Sequence, residues 1–132
     1  MTTPDTTPDA VDPLDGWTLP ADWTDTARDL FAEVIGERPD LAGADLGALE
    51  HAAALTSAAD RLDEVARAAG MVSIGSTGQT VVHPAVVEAR LARTAAATIL
   101  ARLSPTRSER NTERARRAAR TRWTGSLPVG HR

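Results

Sequence analysis

The 132-residue chain has no cysteine, no lysine and no tyrosine. The first absence removes disulfides, thiol nucleophiles and thiolate metal sites, and with them most structural zinc modules. The second excludes Schiff-base chemistry, a lysine general base and a Walker-type phosphate loop. Large apolar residues are also scarce: Leu, Val, Ile and Phe together supply 25 positions, no more than alanine alone. So little bulk argues against a large core private to one chain. No run of about eighteen apolar residues occurs. The opening MTTPDTTPDAVDPLDG has neither a basic nor an apolar leader stretch. The chain is therefore expected to be soluble and cytoplasmic, without membrane contact.

What is present is arginine, which accounts for all fifteen basic residues, and a charge distribution hidden by the net −3. Residues 1–40 carry −8, residues 41–103 carry −1, and residues 104–132 carry +6. An acidic end and a basic end thus flank a near-neutral centre, a pattern of interaction tails around an assembling middle.

Residues 1–16 hold Pro4, Pro8 and Pro13 among acids and small polar residues, and are expected to be a disordered acidic arm. Pro20 at the first positions and Gly36 with Pro39 at the end predict an amphipathic helix over about 22–36. Asp45 as cap and Gly70 as stop predict a longer second helix. Along it Ala48, Ala52, Leu55, Ala59, Leu62, Ala66 and Ala69 recur at alternating spacings of four and three. Such a seam of small residues suits close helix packing. A β-hairpin follows at about 71–82, two β-prone runs around Gly75-Ser76-Thr77-Gly78-Gln79. Pro84 opens a third helix that ends at Ser104-Pro105. Its wide apolar face includes Ala92, Ala96 and Ile99. The fold class is mainly α, with a helical core over 17–105, a basic helix over 106–123 and a flexible tail over 124–132. Because two alanine-rich helices bury little alone, Leu55, Ala59, Leu62, Ala66, Ala92, Ala96 and Ile99 are expected to meet neighbouring copies.

Catalytic constellations are poor. The Gly75–Gly78 segment lacks the lysine of a Walker loop and joins β-prone runs rather than the two helices of a KH loop, so it reads as a turn. His51 has no His or Asp partner one helical turn away, which makes it a partly buried or interfacial residue rather than a metal ligand. His83 stands at a helix start, and His131 in the tail. Asp60 and Glu64 share a helix face and could in principle hold a cation, but a solvated face explains them, as it does Asp63 and Glu88. No nucleophile adjoins a base, so no enzyme, metal or cofactor is expected.

The arginine-rich block stands out. Arg107, Arg110, Arg114 and Arg117 fall on one helix side at spacings of 3, 4 and 3, with Glu113 placed to pair with Arg117. Arg116, Arg120 and Arg122 occupy other faces. Such a helix neutralises phosphates without reading bases, and its like charges at i, i+4 suit a segment that orders on an anionic partner. The alternative is a structural or adaptor protein whose basic helix binds an acidic protein surface, and the chain's own acidic block is a competitor for it.

The order of elements resembles the small terminase subunit of tailed bacteriophages. The similarity rests on Leu46, Leu49, Glu50, Ala53 and Leu55 in the long helix, and on Asp60-Arg61-Leu62. It continues through Gly70, GSTGQ at 75–79, and His83-Pro84 leading into VVEARLARTAAATILARL with Glu88 and Arg90. It spans about residues 17–105. It implies a non-catalytic ring in the host cell cytoplasm that binds double-stranded viral DNA and delivers it to the large terminase subunit, which carries the ATPase and nuclease. Many small terminases use an N-terminal helix-turn-helix, whereas residues 1–40 here hold only Arg28 and Arg38 against ten acids. DNA contact is therefore expected through the basic helix, or through Arg90 and Arg93 if the third helix lines a ring bore.

Overall fold

A computed structural model describes residues 12–104 and 107–124, apart from the side chains of residues 107–110 and 123–124. The chain is mainly helical, in the order α1 (Asp25–Glu37), α2 (Gly43–Ala68), β1 (Val72–Ile74), β2 (Thr80–Val82), α3 (Pro84–Leu103) and α4 (Arg107–Thr124). It divides into two compact units, residues 1–101 and 102–132.

Helix α1 starts later than its proline suggests. The Pro20 carbonyl accepts the Trp23 N–H and the Arg28 guanidinium, which closes a turn ahead of the helix. Thr24 is the cap, its hydroxyl accepting the Ala27 N–H at 3.4 Å. At the other end Gly36 stays helical, and the Arg38 N–H still reaches the Val34 carbonyl at 2.8 Å. Pro39, which disfavours helical backbone in the residue before it, is the effective stop. A Cβ on Gly36 would lie 3.7 Å from that of Pro13, so the segment before α1 packs against it. Residues 12–16, expected to end a disordered arm, form turns ahead of α1. The Asp12 carboxylate accepts the Leu14 N–H, and the Asp12 and Leu14 carbonyls accept from Asp15 and Trp17, building successive turns. Residues 1–11 of the expected arm, and 125–132 of the expected tail, lie outside the described residues.

Phe31 is the centre of the small core. Trp17 meets it edge-on with ring centroids 5.4 Å apart, and Trp23 lies 5.7 Å away. Ala27, Ile35 and Leu41 are buried with it, as are Leu49, Ala52 and Ala53 of α2. Asp45 is not the cap of α2: the helix begins at Gly43 after Ala42, and Asp45 sits in the first turn, where its charge complements the helix dipole.

The α2 seam is used within one protomer. Ala59, Ala66 and Ala96, expected to meet neighbouring copies, are buried in the single chain, and Leu55, Leu62, Ala92 and Ile99 are half-buried there. The physical reason is the short hairpin, which returns α3 antiparallel along α2. The His83 N–H binds the Met71 carbonyl at the hairpin end, while Arg93 farther along α3 reaches Asp60 and Asp63 of α2. Helix α1 packs more extensively along α2 than α3 does, so the small residues of α2 are covered from both neighbours.

The reversal after α2 uses left-handed backbone at Gly70 (φ 74°) and at Met71 (φ 68°), with the Met71 N–H returning to the Ala66 carbonyl at 2.7 Å. The strands pair antiparallel, Val72 with Val82 and Ile74 with Thr80. The GSTGQ segment organises itself: the Gln79 amide oxygen accepts the Thr77 N–H and hydroxyl, and the Gly75 N–H binds the Gln79 carbonyl at 2.8 Å. A Cβ on Gly75 would come within 2.5 Å of the Gln79 side chain. His83 caps α3, its Nδ1 accepting the Ala85 N–H at 3.1 Å.

Candidate nucleic-acid interface

The arginines expected to meet DNA fall into two environments. Arg93 has been taken up by the fold. Its guanidinium lies 2.6 Å from an Asp63 oxygen and 3.2 Å from an Asp60 oxygen. The hydrogen bond from Arg93 holds the Asp63 carboxyl below its ordinary range, and the same contact raises Arg93 above its ordinary value. The other Asp60 oxygen accepts the Thr24 hydroxyl at 2.7 Å. Around this chain Ser57, buried in α2, accepts the Thr24 N–H at 3.0 Å, and Arg61 donates to the Asp22 carbonyl. One polar node thus joins α1, α2 and α3.

Two sequence expectations change as a result. Arg93 is bound by two carboxylates with its side chain 46% exposed, whereas Arg90 is exposed and has no ion pair among the described residues. Asp60 and Asp63 are structural partners rather than a solvated face; Glu64 is exposed. His51, expected to be partly buried or interfacial, is exposed in the single chain. Among the described residues no group of three His, Asp or Glu stands close enough to hold a metal ion. No helix among them is long and apolar enough to cross a membrane.

Helix α4 presents the opposite case. Its alternation of arginine and alanine favours helix while supplying no bulky apolar stripe. Every side chain from 111 to 122 is exposed. Glu113 pairs at 3.6 Å with Arg116, one turn on, rather than with Arg117 as its spacing suggested. Both groups are about 70% exposed, so the pair is weak. Arg114, Arg117 and Arg122 have no ion pair among the described residues. Arg120 is exposed on the same helix. Arg107 and Arg110 belong to α4 by position, while their side chains lie outside the described residues.

Two features escaped the sequence reading. One is an exposed apolar surface where the hairpin joins α2 and α3: Val65, Met71, Val72, Ile74, Val82, Val87 and Leu91, with Ile74 71% exposed. Its signal was a stretch, 71–82, without a single charge. The other is the alignment of part of the acidic block, already read as a competitor for the basic helix, into one row on α1, legible as carboxylates recurring every four residues. No family model, no curated protein and no solved structure matches this chain.

Proposed function

We propose that the chain is a non-catalytic DNA-packaging subunit that self-associates, binds double-stranded viral DNA through α4 and hands it to a large terminase subunit. The observation that carries DNA binding is the arginine surface of α4, exposed and almost uncompensated by acids. Arginines on a helix contact phosphates whatever the base sequence, and each one engaged releases counterions. The packaging role rests on the resemblance of the helix, hairpin and helix to small terminase subunits. Under this reading the copies meet through the exposed apolar surface at the hairpin end, because the α2 seam serves the protomer itself. Exposed Arg90 is a secondary phosphate contact and Arg93 is not one.

The test is duplex binding by the full chain and by an Arg110→Ala, Arg114→Ala, Arg117→Ala variant across a salt series. Affinity should fall steeply with salt, and the triple variant should lose about 2.7 from the log–log slope if all three meet phosphates. A duplex that binds the variant as well as the wild type removes α4 from the interface. Retention of an acidic protein partner by α4, with no affinity for duplex, would favour the adaptor reading.

A further inference from the structure

We propose that the carboxylate row on α1 is a docking surface for the arginine helix α4 of a second copy of this chain. Asp25, Asp29, Glu33 and Glu37 follow one another every four residues, on the side of α1 opposite buried Ala27, Phe31 and Ile35. All four are exposed, and none has an ion-pair partner among the described residues. The row opposes the stability of its own helix twice. Like charges at i, i+4 repel, and Glu37 adds negative charge to a helix end that has no basic residue in its last turn. Among the described residues no ion pair offsets either cost. Helix α4 has the converse defect, since Arg107, Arg110, Arg114 and Arg117 repel along one side.

The two rows match in length as well as in sign. From Asp25 to Glu37 the row on α1 spans about 18 Å, and from Arg107 to Arg117 the row on α4 about 15 Å. With Trp123 as its one bulky apolar residue, α4 has charge as its main means of binding, and the α1 row is an uncompensated line of opposite charge. Because each copy carries both rows, the contact can be made reciprocally in a pair or repeated head to tail around a closed assembly.

A consequence for DNA follows, and this part rests on the function proposed above. Duplex DNA presents about one charge per 1.7 Å of axis, roughly ten over the length in which α1 presents four carboxylates. DNA therefore displaces α1 from α4, and the docked row discourages weaker polyanions.

The absence of cysteine makes the test clean. Full-length Thr26→Cys chains, mixed with full-length Ala118→Cys chains and a bismaleimide, should give mixed cross-linked dimers at low salt. The yield should collapse at high salt and on adding Asp25→Asn, Asp29→Asn, Glu33→Gln and Glu37→Gln to the first chain. Circular dichroism checks that this amidated chain keeps its helices. No mixed dimer, or a yield indifferent to amidation, overturns the docking surface. A chain carrying both cysteines that cross-links only within itself overturns the assignment to a second copy. A 30-base-pair duplex should abolish the cross-link, and the amidated chain should bind that duplex severalfold more tightly. If duplex binds and the cross-link persists, the competition is overturned; if no duplex binds at all, the proposed function fails while the protein contact stands.

Discussion

Arg93 and Arg117 are the same residue type on two helices of one chain, and their surroundings differ in a way that separates structure from function. Arg93 is held between Asp60 and Asp63, and Asp60 in turn holds the cap of α1, so its charge is used up in joining three helices. Arg117 stands on a helix whose described side chains are all exposed, with no carboxylate bound to it among the described residues. Sequence counts the two arginines alike. The environment makes one a fastener and leaves the other exposed, with no ion pair among the described residues.

Substitutions that act on the first unit but spare α4 sharpen the contrast. Phe31→Ala should have the largest effect, about 3–5 kcal/mol of stability lost, because Phe31 is fully buried beneath two tryptophans. Urea unfolding followed by tryptophan fluorescence reads it. Thr24→Ala should cost about 1 kcal/mol, as expected for loss of a helix cap, and it also deprives Asp60 of a donor. Both variants should retain duplex affinity under conditions where they remain folded.

Arg93→Ala should lower stability less than Phe31→Ala and leave duplex affinity unchanged; a loss of affinity comparable to that of the α4 variant would break the comparison. The node also gives a pH signature. Asp63 titrates below its ordinary value of 3.8 in the folded chain. On acidification the unfolded chain therefore binds this proton first. The contribution is complete above about 3.8, and is lost as pH falls from there through the lower folded value. Acid unfolding curves of Arg93→Ala should lack this component. The smallest effect on stability should come from Arg114→Ala with Arg117→Ala, which should leave the thermal midpoint nearly where it was, since no described fold contact uses either side chain.

Local signals in the sequence located the helices and the hairpin because proline, glycine and spacing act over a few residues. Pro84 opens α3 as read, and Gly70 ends α2. Where two local signals competed, the outcome depended on contacts far along the chain. Pro20 pointed to an earlier start for α1, but Thr24 also gained Ser57 and Asp60 as partners 33 and 36 residues away. The alanine seam was visible at Ala52, Ala59 and Ala66, yet periodicity specifies only that a face is covered. Whether helices of the same chain or of another cover it is decided by how α1 and the hairpin-linked α3 are placed against α2. For the same reason Arg90 and Arg93 were indistinguishable in sequence. The helix that carries the basic row was legible as α4, with Arg114 and Arg117 exposed on it, since an exposed charged helix carries its pattern in its spacing alone.

The most direct test of α4 as the DNA-binding element is duplex affinity against salt for three full-length proteins: the wild type, Arg93→Ala, and the Arg110→Ala, Arg114→Ala, Arg117→Ala variant. The account predicts that the first two share one steep slope while the third binds more weakly with a shallower one. Equal slopes for the wild type and the α4 variant, or a shallower slope for Arg93→Ala, would contradict it.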